Sequence, residues 1–274
     1  MTDDGGTRVA VVQTVPEFGQ VAENRAETVD AIRAQADADL VVLPELATSG
    51  YVFESRSAVV DVAERNDGPT ADAWTSVAAE TETWIVGGFP EVDGERLYNS
   101  ALVVSPDGVE GVYRKIHLWH DEKRWFEPGD DVPVFETPFG RLGVQICNDL
   151  WFPELTGTQA RAGVDIVAVP TNWVPEPPER PASWTMGIHQ AIANANANRV
   201  FVACADRAGT ERGVRFEGQS VVVDQDGLPV AGPLPDRGSH SVAVDCDLHL
   251  AREKSLTDRD HVLEDRRPAV YDRD

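Results

Sequence analysis

Short, fully apolar runs alternate along the chain with segments in which apolar residues recur every three or four positions. Residues 8–13 (Arg-Val-Ala-Val-Val-Gln) predict a strand buried on both faces, and residues 39–43 (Asp-Leu-Val-Val-Leu) a second. Between them, residues 21–36 place Val21, Val29, Ile32 and Ala36 at helical spacing, with charged residues between. A helix over 69–81, a strand over 84–88 and a strand over 98–104 follow. The turn Pro106-Asp107-Gly108 then folds the chain back into 109–113 as a hairpin partner. Downstream the pattern gives a strand over 142–146, a helix over 154–162, a strand over 165–170, a helix over 184–198 and a strand over 200–204. Residues 220–224 and 239–244, joined by a turn around Asp226-Gly227, predict a terminal hairpin. Buried strands alternating with helices, interrupted by hairpins, specify an α/β protein with mixed rather than purely parallel sheets.

Composition narrows the classes. The 274 residues suit a single domain spanning 1–274, with 247–274, rich in Asp and Arg, expected along the surface or against a second subunit. The polar N-terminus does not resemble a leader, no apolar run approaches membrane-spanning length, and a cytoplasmic protein is expected. Cys147, Cys204 and Cys246 lie far apart without metal-ligand spacing, so neither a disulfide framework nor a zinc site is expected, and a reducing compartment fits. His120, His189, His240, His249 and His261 likewise form no metal spacing, and no phosphate-loop or dinucleotide string is present, so no cofactor is expected. A formal charge of -23 argues against nucleic acid or an anionic membrane as partner. Only Lys115, Lys123 and Lys254 are lysines, a balance resembling that of extreme halophiles, in which molar salt screens such self-repulsion. Where lysine is so rare, two within positions 115–123 suggest a chemical task for one of them.

Three polar residues fall at predicted strand ends. Cys147 stands at the corner between the 142–146 strand and the helix opened by Pro153-Glu154, exposed at the sheet edge, where a thiol is either a nucleophile or a structural cysteine. Glu45 follows the second strand and Lys115 the hairpin, and strand carboxyl ends border the ligand crevice in open α/β sheets. Taken singly, the charged pair reads as caps or ion-pair partners and the thiol as a structural cysteine. Together they complement one another: a carboxylate to take and return the thiol proton, and an ammonium to favour thiolate and stabilise a developing oxyanion. The irregular segment 117–131, rich in aromatic and charged residues, is long enough to suggest a functional loop. His117 shares a face with Lys115 only if the strand continues that far; its orientation stays open, with a structural role favoured.

These residues resemble the nitrilase superfamily of carbon–nitrogen hydrolases. Leu43-Pro44-Glu45 with Ser49-Gly50-Tyr51, Tyr113-Arg114-Lys115-Ile116-His117-Leu118, and the stretch from Gly143 to Glu154 look like its three catalytic motifs. Tyr98-Asn99-Ser100, Phe126-Glu127-Pro128-Gly129, Pro170-Thr171-Asn172-Trp173 and residues 216–220 match further landmarks in order. The resemblance implies a four-layer α-β-β-α sandwich, assembled as a homodimer or larger oligomer across one helical layer. It implies Glu45 as general base and acid, Lys115 as stabiliser of the tetrahedral intermediate, Cys147 as the nucleophile forming a thioester, and the backbone N–H of Asn148 as a second oxyanion donor. A second carboxylate supporting substrate and lysine falls at Glu122, preferred over Glu127 inside its landmark. Tyr51, Trp151 and Asn172 are candidates for the pocket. Asn148 and Trp151 depart from the common Cys-Tyr-Asp-x-Arg string, and Cys-Asn-Asp is similar to carbamoyl-amino-acid hydrolases. The expected substrate is therefore a small amide or N-carbamoyl compound. A nitrilase acting on a nitrile is the enzymatic alternative, and a catalytically silent interaction protein the non-enzymatic one.

Overall fold

A computed structural model describes residues 6–175 and 185–271. The strands that matter here are β1 (Thr7–Gln13), β2 (Leu40–Val42), β3 (Trp84–Asp93), β4 (Arg96–Ser105), β5 (Gly108–Arg114), β6 (Val134–Thr137), β7 (Gly140–Val144), β8 (Ile166–Thr171), β9 (Phe201–Asp206), β10 (Ala208–Glu211), β11 (Val214–Glu217), β12 (Val221–Val223), β13 (Pro229–Ala231) and β14 (His240–Cys246). The helices that matter here are α1 (Val21–Arg33), α2 (Arg56–Val60), α3 (Pro69–Thr81), α4 (Glu122–Trp125), α5 (Pro153–Arg161) and α6 (Met186–Asn198). One six-stranded sheet runs β14-β1-β2-β3-β4-β5 and the other β13-β12-β9-β8-β7-β6, each mixing parallel and antiparallel pairs.

Strand alternation explains why two sheets stack. On β1, Val9 and Val11 face a core shared with Ile166, Ala168, Phe201 and Ala203 of the other sheet, whereas Ala10 and Val12 face Ile32, Trp74 and Val77 of α1 and α3. On the second sheet Val167, Val169 and Val202 turn outward to Ile188, Ala191 and Ala195 of α6. Both faces of the central strands are therefore apolar, which gives them continuous hydrophobic runs instead of alternating ones. The layers are helix, sheet, sheet, helix.

Several boundaries moved. The first helix stops at Arg33, the 142–146 strand ends at Val144 before a 3₁₀ turn over Cys147–Trp151, and a one-turn helix, α4, interrupts the loop 117–131. Of the helix expected over 184–198, Trp184 lies outside the described residues. The terminal hairpin is a correction. The Asp226-Gly227 turn, held by Asp224 Oδ1 accepting from the backbone N–H groups of Asp226 (3.0 Å) and Leu228 (2.8 Å), leads from β12 into β13. The strand expected at 239–244 crosses to the other sheet and pairs antiparallel along the whole of β1, from Thr7 opposite Cys246 to Gln13 opposite His240. There Val242 and Val244 cover the inter-sheet core and Ala243 the helical layer. A local turn signal is silent about such long-range pairing.

The parallel bridge between Thr14 and Arg207 puts the carboxyl ends of β1 and β9 side by side, so the strand ends of both sheets open at the same end of the sandwich. The segment after β2, the residue after β5 and the turn after β7 meet there.

Candidate active site

Glu45 reaches this end because the segment Pro44-Glu45-Leu46 lies directly on β3. Gly88 N–H donates to the Pro44 carbonyl (3.0 Å) and Ala47 N–H to the Gly88 carbonyl (2.9 Å). A Cβ at Gly88 would stand 2.5 Å from Glu45 Cα, so only glycine permits the approach. Lys115 is fixed by its own backbone, its N–H donating to the Asn99 carbonyl and its carbonyl accepting from Gly129 N–H, both at 2.9 Å. Glu122 comes from α4 and is buried.

The structure brings these three side chains together. Lys115 Nζ donates to Glu45 Oε1 (2.6 Å) and to Glu122 Oε1 (2.8 Å), with Lys115 and Glu45 fully shielded from solvent. Glu45 Oε1 also accepts from Asn99 Nδ2 (2.7 Å), while its Oε2 is buried and has no hydrogen-bond partner among the described residues. Glu122 accepts from the Tyr51 hydroxyl at Oε1 and from Trp119 N–H (3.1 Å) at Oε2.

Cys147 opens the 3₁₀ turn with φ 47°, in the left-handed region that side chains rarely adopt. Asp149 holds the corner. Its carboxylate, fully buried, accepts from Ile146 N–H (2.9 Å), the Tyr113 hydroxyl (2.7 Å) and His117 N–H (2.9 Å), and pairs with His117 Nδ1 (2.7 Å). Asn148 Nδ2 donates to the His117 carbonyl (3.0 Å). The turn carrying the thiol is thereby tied to the segment carrying the lysine. His117 faces Asp149 and stacks on Phe152, with ring centroids 3.7 Å apart, which settles its orientation.

Cys147 is half-buried rather than exposed, because Trp119, Trp151, Asn172 and Trp173 wall a cavity of about 40 Å³ around it. Trp151 is also half-exposed at the rim, and both polar atoms of the buried Asn172 carboxamide lack partners among the described residues. Tyr51 lines an adjoining aromatic cavity of about 200 Å³ with Phe53, Trp119, Glu122, Trp125 and Phe126. A larger concavity, about 940 Å³, lies elsewhere, around Thr7, Asp39, Gly140 and Asp165, where the strands of the parallel pairs begin. Its lining includes the Cys246 thiol and carboxylates such as Asp165 but no lysine ammonium, so size does not mark the chemistry here.

Burial pushes the Glu45 carboxyl up to about 7; the Lys115 ammonium opposes the shift and the negative charge of Glu122 adds to it. Burial works to lower Lys115, but the charges of Glu122, Glu45 and Cys147 outweigh it and hold the ammonium above its ordinary range. Burial, then Glu45, push the Cys147 thiol up, against Lys115 and a hydrogen bond from the Asn172 backbone. The Tyr51 hydroxyl is raised by burial and Glu122, so it remains a donor. The arrangement is a protonated thiol beside a carboxylate poised near neutrality and a permanent ammonium, which suits proton transfer coupled to attack rather than a standing thiolate. Among the described residues no group of three or more His, Cys, Asp or Glu side chains is placed to hold a metal ion.

Asn99, Asp149 and Tyr113 did not emerge as site residues from their types. All three lie inside motifs already singled out, which was the available signal, and Asp149 reads from the sequence as a structural ion-pair partner, in keeping with its contact to His117.

Comparison with known proteins bears on this geometry. The family model described as carbon-nitrogen hydrolase matches residues 8–254. A nitrilase of Pyrococcus abyssi is 38% identical over 96% of this chain and 98% of its own length. An (R)-stereoselective amidase of Pseudomonas sp. is 33% identical over 95% of this chain and 91% of its own. Among solved structures, a mutant of the amidase from Nesterenkonia sp. AN1 in complex with butyramide superimposes with a TM-score of 0.78 at 25% identity, covering 98% of this chain and 97% of that one.

Proposed function

The chain belongs to the carbon–nitrogen hydrolase family of the nitrilase superfamily, and from that premise we propose that it is a cofactor-free, thiol-dependent amidase acting on small, neutral amides. The observation that carries this reading is the buried ammonium of Lys115 held between Glu45 and Glu122, with one Glu45 oxygen left without a partner and the Cys147 thiol near enough to feel the Glu45 and Lys115 charges.

In the proposed reaction Glu45 Oε2 takes the thiol proton as Cys147 Sγ attacks the amide carbon. The charge gathering on the substrate oxygen is stabilised by the Lys115 ammonium and by the backbone N–H of Asn148, which at the start of a 3₁₀ turn has no intrahelical acceptor. Glu45 then returns the proton to the departing nitrogen, so ammonia leaves and a thioester remains. Water, deprotonated by Glu45, attacks the thioester, and the thiol is reprotonated as the carboxylic acid departs. Glu122 holds Lys115 in place and offers an acceptor to the substrate amide.

The pocket supports a neutral substrate. Neither the cavity at Cys147 nor the adjoining aromatic one has a lysine or arginine among its described lining residues, whereas an N-carbamoyl amino acid needs a cation for its carboxylate. About 200 Å³ walled by aromatic rings suits a branched alkyl or phenyl group, since cavities of roughly 150 Å³ accept benzene. The partnerless Asn172 carboxamide is a candidate to orient the amide.

Ammonia release from isobutyramide, phenylacetamide, N-carbamoylglycine and succinamate tests the proposal: the first two are turned over in preference, and Cys147→Ala abolishes release. Undiminished release by Cys147→Ala contradicts it. The Pyrococcus relative favours a second reading, nitrile hydrolysis to acid and ammonia; turnover of isobutyronitrile faster than isobutyramide selects it. A silent binding protein keeping the fold would have no use for two carboxylates around one buried ammonium. We place the enzyme in solution as a homodimer or larger assembly, a state that light scattering reads directly.

A further inference from the structure

We propose that Glu211, paired with Arg207, is a positioning residue of the catalytic centre: the β10–β11 hairpin clamps Gly50-Tyr51-Val52 so that the Tyr51 hydroxyl is delivered to Glu122. The proposal rests on the reading of Glu122 as part of that centre.

Glu211 ends β10 and is buried. Its Oε1 accepts from two successive backbone donors, Tyr51 N–H (2.9 Å) and Val52 N–H (2.5 Å). Its Oε2 accepts from Arg207 Nη1 (2.7 Å), and Arg207 is only 1% exposed. Arg207 in turn donates from Nη2 to the Pro16 carbonyl (3.1 Å) and lies over the Phe216 ring, 4.1 Å from its centroid. Phe216 meets the Tyr51 ring edge-on at 5.8 Å. From the tip of the same hairpin, Arg212 Nη1 donates to the Val52 carbonyl (2.9 Å). The hairpin thus holds the loop at two of its N–H groups, at one carbonyl and at its aromatic ring.

Gly50 shows how closely the clamp fits. Its φ is +83°, and a Cβ there would stand 2.6 Å from Glu211 Oε2 and 3.0 Å from Phe18 Cα. The carboxylate occupies the space a side chain would need.

Burying an ion pair costs desolvation that apolar packing avoids, so stability alone is a poor reason for one here. What apolar residues cannot supply is an anionic acceptor that fixes the direction of two consecutive N–H groups. That direction sets where the Tyr51 side chain starts and where its hydroxyl ends, on the same Glu122 oxygen that holds Lys115. Geometry at reacting groups is worth a great deal, since a misplacement of about 1 Å costs roughly a hundredfold in rate.

The test compares Tyr51→Phe, Glu211→Gln and the double variant, with Glu211→Asp as the conservative rescue. Two readouts are used: kcat and KM on isobutyramide, and the rate of Cys147 alkylation by iodoacetamide across pH, which needs no substrate turnover. Each single variant is expected to lower kcat about tenfold or more with KM changed less than about twofold, and to alter the alkylation profile in the same direction. The double variant is expected to lose no more kcat than the worse single, because both act on one contact. Glu211→Asp is expected to recover part of the lost rate. Multiplying kcat losses in the double variant, an unaltered alkylation profile in Glu211→Gln, or no effect of Tyr51→Phe on either readout overturns the clamp. If wild type hydrolyses no amide, the function reading fails while alkylation still decides the clamp.

Discussion

At the scale of the residue, the free oxygen of Glu45 matters most. Its carboxyl, pushed up to about 7 by burial and by Glu122 against the opposing Lys115, must be ionised to act as base. kcat/KM is therefore expected to rise with pH through about 7 and to level off above it. Glu122→Gln removes a negative charge that raises Glu45 while leaving the lysine that lowers it. The acid limb of the remaining activity should then move to lower pH; a limb that stays or moves upward contradicts the assignment. That Glu45, Lys115, Glu122 and Cys147 gather at one place was legible from the sequence, because three of them lie in motifs of fixed order and Glu122 falls in the loop between the lysine motif and the next landmark. The parts played by Asn99, Asp149 and Glu211 were not, because they come from partners 32–160 residues away that no local pattern encodes.

At the scale of the element, the turn over Cys147–Trp151 depends on a strut. Asp149 receives hydrogen bonds from three segments, the end of β5, the residues after Lys115 and the thiol's own turn. Asp149→Ala leaves buried donors unpaired and releases the strained corner. It is expected to cost about 3–5 kcal/mol of unfolding free energy and most of kcat. Tyr113→Phe, which removes one of those bonds, should cost only about 1 kcal/mol. Urea denaturation measures both, and equal costs would show that the carboxylate is not the shared anchor. Most elements were legible because buried strands and amphipathic helices announce themselves by period. The exception, β14, joined the wrong partner in the sequence reading because its true partner, β1, lies at the other end of the chain. β10 and β11, four residues each, were too short and too mixed in polarity to stand out.

At the scale of the molecule, 47 acidic against 24 basic residues give a net charge of -23. Two of the three lysines, Lys115 and Lys254, are buried, and Lys123 alone is exposed. Salt screens repulsion between surface carboxylates while the buried charges of Glu45, Lys115 and Glu122 are screened far less. The thermal midpoint is therefore expected to rise by at least about 5 °C between 0.1 and 2 M KCl, with the pH profile of activity nearly unchanged. A midpoint that falls with salt would mean that the surface ion pairs outweigh the repulsion. The α/β class with mixed sheets was legible from strand and helix periodicity. The stacking of two sheets came from the family resemblance and from no periodicity, since a strand buried on both faces reads the same against a helix or a second sheet.

The central claim is that Cys147, served by Glu45 and Lys115, carries the acyl group of an amide. Intact-protein and peptide mass spectrometry, on enzyme quenched in acid during turnover of isobutyramide, tests it most directly. The account predicts an isobutyryl mass increment confined to the peptide containing Cys147 and absent from Cys147→Ala. Ammonia release at the wild-type rate from Cys147→Ala, with no adduct on any peptide of the wild type, would contradict it.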